Sequence, residues 1–94
     1  MILVDPPTWP GWGRTWSHLV SDATLEELHA FAASVGLPRR LFDEDHYDVP
    51  VERYGEVVAA GAVEVAGGEL IRRLIASGLR VTRAERDGRA PGRG

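Results

Sequence analysis

Trp16-Ser17-His18-Leu19-Val20-Ser21-Asp22-Ala23-Thr24-Leu25-Glu26-Glu27-Leu28 carries two periodicities in succession. The first five residues alternate, which places Trp16, His18 and Val20 on one face of a strand. Ser21 to Thr24 then supply helix-start chemistry. Thr24 and Glu27 have capping-box spacing, the hydroxyl accepting from an N3 amide and the carboxylate reaching back. Leu25, Leu28, Phe31, Ala32 and Val35 follow at helical spacing, Gly36 stands in the C′ position, and Pro38 prevents continuation. His29 borders this apolar stripe, where a partly buried, hydrogen-bonded histidine is expected. A strand feeding a capped helix is the unit from which α/β folds are built.

Working outward toward the amino terminus, residues 6–15 read as loop, with prolines and glycines around Trp9 and Trp12 and Arg14 just after. The tryptophans have two readings: they cap a small core, since each indole buries a large apolar area, or they form an aromatic lid with Arg14 as an anion contact. Before the loop, Ile2-Leu3-Val4 reads as a buried strand stopped by Asp5-Pro6-Pro7.

In the other direction, Arg39-Arg40-Leu41-Phe42 reads as a third, short strand. It leads into the acidic stretch Asp43-Glu44-Asp45-His46-Tyr47-Asp48. Pro50 suits the first position of a helix running through Val51, Tyr54, Val57 and Val58 to Ala60, with Asp48 placed to cap it. Ala62-Val63-Glu64-Val65 reads as a strand. Leu70, Ile71, Leu74 and Ile75 mark a last helix stopped by Gly78, and Leu79-Arg80-Val81-Thr82 an edge strand. The sequence therefore predicts one α/β domain over residues 1–82, a small mostly parallel sheet of about three to five short strands with about three helices. Residues 83–94 are expected to be a disordered arginine- and glycine-rich tail.

Composition narrows the chemistry. At 94 residues the chain is near the lower size limit for a self-sufficient core. It has no cysteine, which excludes disulfides, thiolate metal sites and thiol nucleophiles. It has no lysine either, which excludes a Schiff base and a Walker-type phosphate lysine. No apolar run approaches the roughly 20 residues that span a bilayer. Met1 to Asp5 lack a basic n-region, so no secretory leader and a cytoplasmic location are expected. The net charge of −3 is uneven: residues 1–71 hold four arginines against twelve acids, residues 72–94 seven against two. The tail reads either as solvated charge or as a contact for nucleic acid or an acidic partner, although it has no aromatic ring to stack on bases.

In an open parallel sheet, ligands bind beyond the carboxyl ends of the strands. Parallel strands would gather Asp5, Asp22 and the segment from Asp43 to Asp48 on one edge. Asp5, Asp22, His46 and Asp48 are then candidate ligands for magnesium, manganese or zinc. His46, Asp48 and His18 are the candidate catalytic residues, with His46 as general base oriented by Asp48 or Asp45. The plainer reading makes Asp5 and Asp22 turn and cap residues and Asp43-Glu44-Asp45 a solvated loop. No His-Glu-x-x-His, dinucleotide fingerprint, P-loop or Gly-x-Ser-x-Gly elbow is present.

Ile2-Leu3-Val4-Asp5, Trp16-Ser17-His18-Leu19-Val20-Ser21-Asp22, Glu27-Leu28-His29-Ala30-Phe31-Ala32, His46-Tyr47-Asp48-Val49 and Ala59-Ala60-Gly61-Ala62, in this order, resemble a small bacterial and phage family. It is domain-of-unknown-function family four thousand and thirty-one. The resemblance runs to about Leu79 and implies that the Trp-Ser-His and His-Tyr-Asp stretches are family hallmarks. Many members carry a second acid where this chain has Pro6, which weakens a paired-carboxylate reading at Asp5. No activity is assigned to the family. The functional expectation is a metal-dependent hydrolase acting on a phosphoester, a phosphorylated small molecule or a nucleotide. The alternative is a non-catalytic module binding a nucleotide, nucleic acid or protein through Trp9, Trp12, Arg14 and Tyr47 or through the tail. A third reading is an accessory domain acting through oligomerisation.

Overall fold

Alternation in the first half of the chain produces a sheet, and the computed structural model describes it within residues 1–81. Thr82 and the arginine-rich tail lie outside the described residues. Ile2–Val4 forms β1, Trp9–Gly11 β2, Arg14–Ser21 β3 and Leu25–Ser34 α1. Phe42–Asp43 and His46–Pro50 form β4 and β5, Tyr54–Ala59 α2, Val63–Glu64 β6 and Gly67–Ser77 α3. Short 3-10 turns at Arg39–Leu41 and Val51–Arg53 precede β4 and α2.

The strand order is β4-β5-β3-β1-β6, with β2 paired to the start of β3. Only β1 and β6 run parallel; the other pairings are antiparallel. This corrects the expected mostly parallel sheet. The cause is two tight reversals. Trp12 and Gly13, both at positive φ (55° and 77°), turn β2 into β3. Glu44, at φ 62°, and Asp45 turn β4 into β5. Two-residue connections join antiparallel neighbours, whereas parallel ones need a crossover. The stretch expected as loop thus contains β2 and the first residues of β3, and His46 to Pro50 is strand rather than loop and cap. Arg39 to Leu41 is a 3-10 turn instead of a strand, and Leu79 to Val81 join no strand.

Thr24 caps α1 by accepting from the Glu27 amide at 3.0 Å. The Glu27 carboxylate does not close the box; it accepts from the Ser21 hydroxyl and from the Met1 amino group at 2.9 Å. One sheet face packs Ile2, Val4, Leu19, Tyr47 and Val49 against Leu28 and Ala32 of α1 and Val57 of α2. On the other face, Leu3 and Val20 pack against Leu70 and Leu74 of α3, with Val65 and Leu79 beside them. The strand period of two sends Trp16, His18, His46 and Asp48 to this second face, next to the part that α3 covers. Among the described residues no helix is long and apolar enough to cross a membrane.

Leu74 is 1% exposed while its near neighbour Ile75 is 59% exposed. Leu74→Ala is expected to lower the unfolding free energy by about 2–5 kcal/mol. Ile75→Ala should change it by no more than about 0.5 kcal/mol. Urea titration of both variants checks the orientation of α3; equal losses would contradict it.

Candidate functional site

His18 stands in the middle of β3, directly opposite Asp48 of β5. His46 lies two residues before Asp48 and therefore on the same face. The His18 and His46 rings approach edge-to-face, with centroids 5.1 Å apart and planes at 75°. Each ring is backed by a buried aspartate. Asp5, which is 2% exposed, has Oδ2 2.9 Å from His18 Nδ1 and accepts the His18 backbone N–H through Oδ1 at 2.6 Å. The Trp9 indole N–H also donates to Asp5 Oδ2, at 3.2 Å. Asp45 is fully buried, with Oδ1 2.7 Å from His46 Nδ1. Its Oδ2 accepts from the Val81 amide at 2.8 Å and lies 3.5 Å from the Arg80 guanidinium.

A carboxylate can only accept, so both histidines carry a proton on Nδ1 and turn Nε2 away from their aspartates. His46 Nε2 lies 3.1 Å from Asp48 Oδ1. One donor atom each from His18, His46 and Asp48 falls within 4.8 Å of the others. Two imidazoles whose other nitrogen is held by a carboxylate, with a third carboxylate beside them, form the outer-shell arrangement found around metal-ligating histidines.

Burial alone would push the His46 imidazolium toward lower pKa, but hydrogen bonds and charge from Asp45 and Asp48 outweigh it and raise the group to about 9. Burial would raise Asp5; hydrogen bonds from the His18 ring, the His18 amide and Trp9 hold its carboxyl below the usual range instead. Asp45 behaves alike: desolvation is overcome by His46, the Val81 amide and Arg80, and its carboxyl is lowered.

Above His18 and Asp48 opens a cleft of about 360 Å³. Trp9, Trp12 and Trp16 form one wall with Pro10 and Gly11, and Arg40 and Leu41 form the other. Trp9 packs edge-to-face on His18 at 4.7 Å, and the Trp16 indole N–H donates to the Gly11 carbonyl at 2.8 Å.

Of the residues singled out from sequence, Asp5, His18, His46 and Asp48 come together, and Trp9 and Trp12 line the cleft above them. Asp22 does not join them. Because β3 runs antiparallel to β1, the carboxyl ends of the two strands lie at opposite ends of the sheet. Asp22 pairs there with Arg73 at 2.7 Å and the Met1 amino group at 3.1 Å. Arg14 does not line the cleft: it pairs with Glu52, and its guanidinium sits 5.8 Å over the Trp16 ring. Tyr47, one residue out of phase with His46 and Asp48, is buried on the opposite face with its hydroxyl 2.7 Å from His29 Nδ1. The residues that sequence reasoning undervalued are Asp45 and Arg40. Asp45 lies in a hairpin turn, where an acid reads as solvated. Its burial depends on the segment after α3 folding over it. Arg40 carries no local signal, because the turn that aims it at the cleft looks like a strand.

Residues 2–77 match the model of the family described as Protein of unknown function (DUF4031), and the chain belongs to this family. No curated protein matches the chain. No solved structure matches it either.

His46 gives the metal-free protein a defined pH response. Its pKa is raised in the folded state, so the stabilisation is complete below the unfolded value of about 6.5 and disappears as pH rises through about 9. The unfolding free energy of EDTA-treated protein is expected to fall by on the order of 3 kcal/mol across that window. Asp45→Asn should shift the His46 midpoint downward. Histidine ring NMR titration combined with urea unfolding at pH 6 and pH 9.5 checks both; a His46 midpoint near 6.5 would contradict the ion-paired geometry.

Proposed function

We propose that this member of a family without an assigned activity is a metal-dependent hydrolase of phosphoesters, nucleotides among them. His18, His46 and Asp48 serve as the metal ligands. The observation that carries the reading is the pair of buried aspartates, Asp5 and Asp45, each holding one imidazole by Nδ1 so that Nε2 is left for a cation. Carboxylate–histidine pairs of this kind fix the tautomer and raise the basicity of the ligating nitrogen. A site of three protein ligands leaves coordination positions open, which is the pattern of catalytic rather than structural zinc. Two nitrogens and one oxygen suit zinc or manganese better than magnesium, which favours oxygen throughout. Asp5 thus moves from candidate ligand to orienting group.

A metal held there would lower the pKa of a bound water and polarise a phosphoryl oxygen. The remaining work belongs to the chain itself. Arg40, across the cleft, is placed to neutralise charge on a phosphate. The tryptophan wall restricts water and orients the organic part of the substrate. Asp5 and Asp45 keep the two imidazoles in register through turnover.

EDTA-treated protein is expected to gain thermal stability on addition of zinc or manganese, and to gain less with magnesium. His18→Gln and His46→Gln should abolish the gain, while Asp5→Asn and Asp45→Asn should weaken metal affinity by about 10–100-fold. Calorimetric metal titration of the four variants, followed by hydrolysis of p-nitrophenyl phosphate and its bis ester, tests the proposal. Zinc binding that is indifferent to both histidine changes sinks the metal site. Zinc-loaded protein that turns over no phosphoester sinks the hydrolase.

A further inference from the structure

Of the three tryptophans in the cleft wall, two are committed to the protein. Trp9 donates to Asp5 and packs on His18, and Trp16 donates to the Gly11 carbonyl and lies under the Arg14 guanidinium. Trp12 has no such role. Among the described residues it makes no hydrogen bond or ring contact, and it is 94% exposed at the tip of the β2–β3 hairpin. Its backbone sits at φ 55°, a conformation that favours glycine or asparagine and is costly for a large side chain. Neither folding nor the turn explains an indole at this position. A strained, exposed aromatic at the rim of a cleft is explained by a ligand that it covers.

The opposite wall supplies the complement. Arg40 lines the cleft and pairs with no carboxylate among the described residues. The cleft floor is His18 and Asp48. A planar π-surface on one side, an unpaired guanidinium on the other and the candidate metal ligands below match a ligand with an aromatic ring at one end and a phosphate at the other. The volume of about 360 Å³ falls in the range of about 300–1,000 Å³ typical of small-molecule sites.

We infer that the cleft binds a nucleobase joined to a phosphate, the base stacking on Trp12 and the phosphate lying between Arg40 and the histidine–aspartate floor. The inference rests on the hydrolase reading for the phosphate's position, but the base contact stands apart from it. A free nucleotide and the phosphorylated end of a single strand share this chemistry.

The test is calorimetric binding of nucleoside 5′-monophosphates, the corresponding nucleosides, ribose 5-phosphate and a 5′-phosphorylated trinucleotide, to metal-free and zinc-loaded protein. A monophosphate is expected to bind at least about tenfold tighter than ribose 5-phosphate. Trp12→Asn, which suits the turn, should cost about five- to hundredfold in nucleotide affinity and leave ribose 5-phosphate unchanged. Arg40→Gln should weaken the nucleotide and spare the nucleoside. Trp12→Gly, equally at ease at positive φ, controls for the turn and should repeat the loss. Tighter binding of the trinucleotide identifies a strand end as the ligand, and equal binding identifies the free nucleotide. Equal affinity for monophosphates and ribose 5-phosphate, or a Trp12→Asn variant that binds nucleotide as before, overturns the inference. Loss of base preference with zinc binding intact strikes this inference alone. Base preference with no zinc binding strikes the metal reading alone.

Discussion

One carboxylate joins the fold to the site. β1 ends because Pro6 and Pro7 cannot donate to a sheet ladder. The last backbone bond of that ladder runs from the Asp5 amide to the His18 carbonyl at 3.2 Å. Where the next acceptor would be backbone, Asp5 Oδ1 takes the His18 amide instead. The same side chain holds the His18 ring through Oδ2 and anchors Trp9 as the chain turns back to form β2. Gly67, at the start of α3, comes so close that an added Cβ would lie 3.5 Å from Asp5 Oδ2. The positive end of that helix favours the charged carboxylate. Strand termination, ring orientation and the entry to the hairpin are therefore consequences of a single buried acid.

The site exists because α3 covers only part of its sheet face. Leu3 and Val20 give the helix an apolar landing, and Leu70 and Leu74 fill it. Two residues along β3 the same face carries His18, and across the ladder it carries His46 and Asp48. These side chains are too polar to receive a helix, so the face stays open. The chain after α3 nevertheless passes close enough for the Val81 amide and Arg80 to satisfy Asp45. The helix that completes the core thereby also delivers the outer support of His46.

Elements were legible in the sequence where local chemistry is decisive. Thr24, the stripe from Leu25 to Val35 and Gly36 define α1, and Gly78, at φ 83°, ends α3 as its position predicts. The alternation of Trp16, His18 and Val20 puts these three side chains on one face, and packing, not the local pattern, makes it the face away from α1. Direction was not legible, because it is set by turns whose residues break the usual preference. A tryptophan and a glutamate occupy positive φ where glycine, asparagine or aspartate signals a hairpin. With the reversals hidden, the strands read as parallel, and the sequence groups Asp22 with Asp5 although it belongs to the far end of the sheet. His46 and Asp48 survived the error because their pairing to each other is local, i to i+2, and does not depend on strand direction. Asp45 was hidden for the opposite reason: its burial comes from residues distant in sequence.

Stability does not account for Asp5 and Asp45. Taking an ion pair out of water costs several kcal/mol per charge, and well-packed apolar residues of similar volume are commonly as stabilising or more so. A chain of 94 residues has a limited core from which to offset that cost. Yet both aspartates are almost wholly inaccessible, and their oxygens are fully used in orienting imidazoles and ordering backbone amides. What the arrangement secures is the direction of two nitrogen lone pairs. On His46 that lone pair holds a proton at neutral pH, because Asp45 and Asp48 lie on either side of the ring. A cation taking the same nitrogen displaces the proton. The two carboxylates that stabilise the imidazolium would then stabilise the proposed ion in its place. Under the proposed metal site, protonated and metal-bound forms would be alternative ways of neutralising one cluster of acids, with the buried aspartates keeping the geometry common to both.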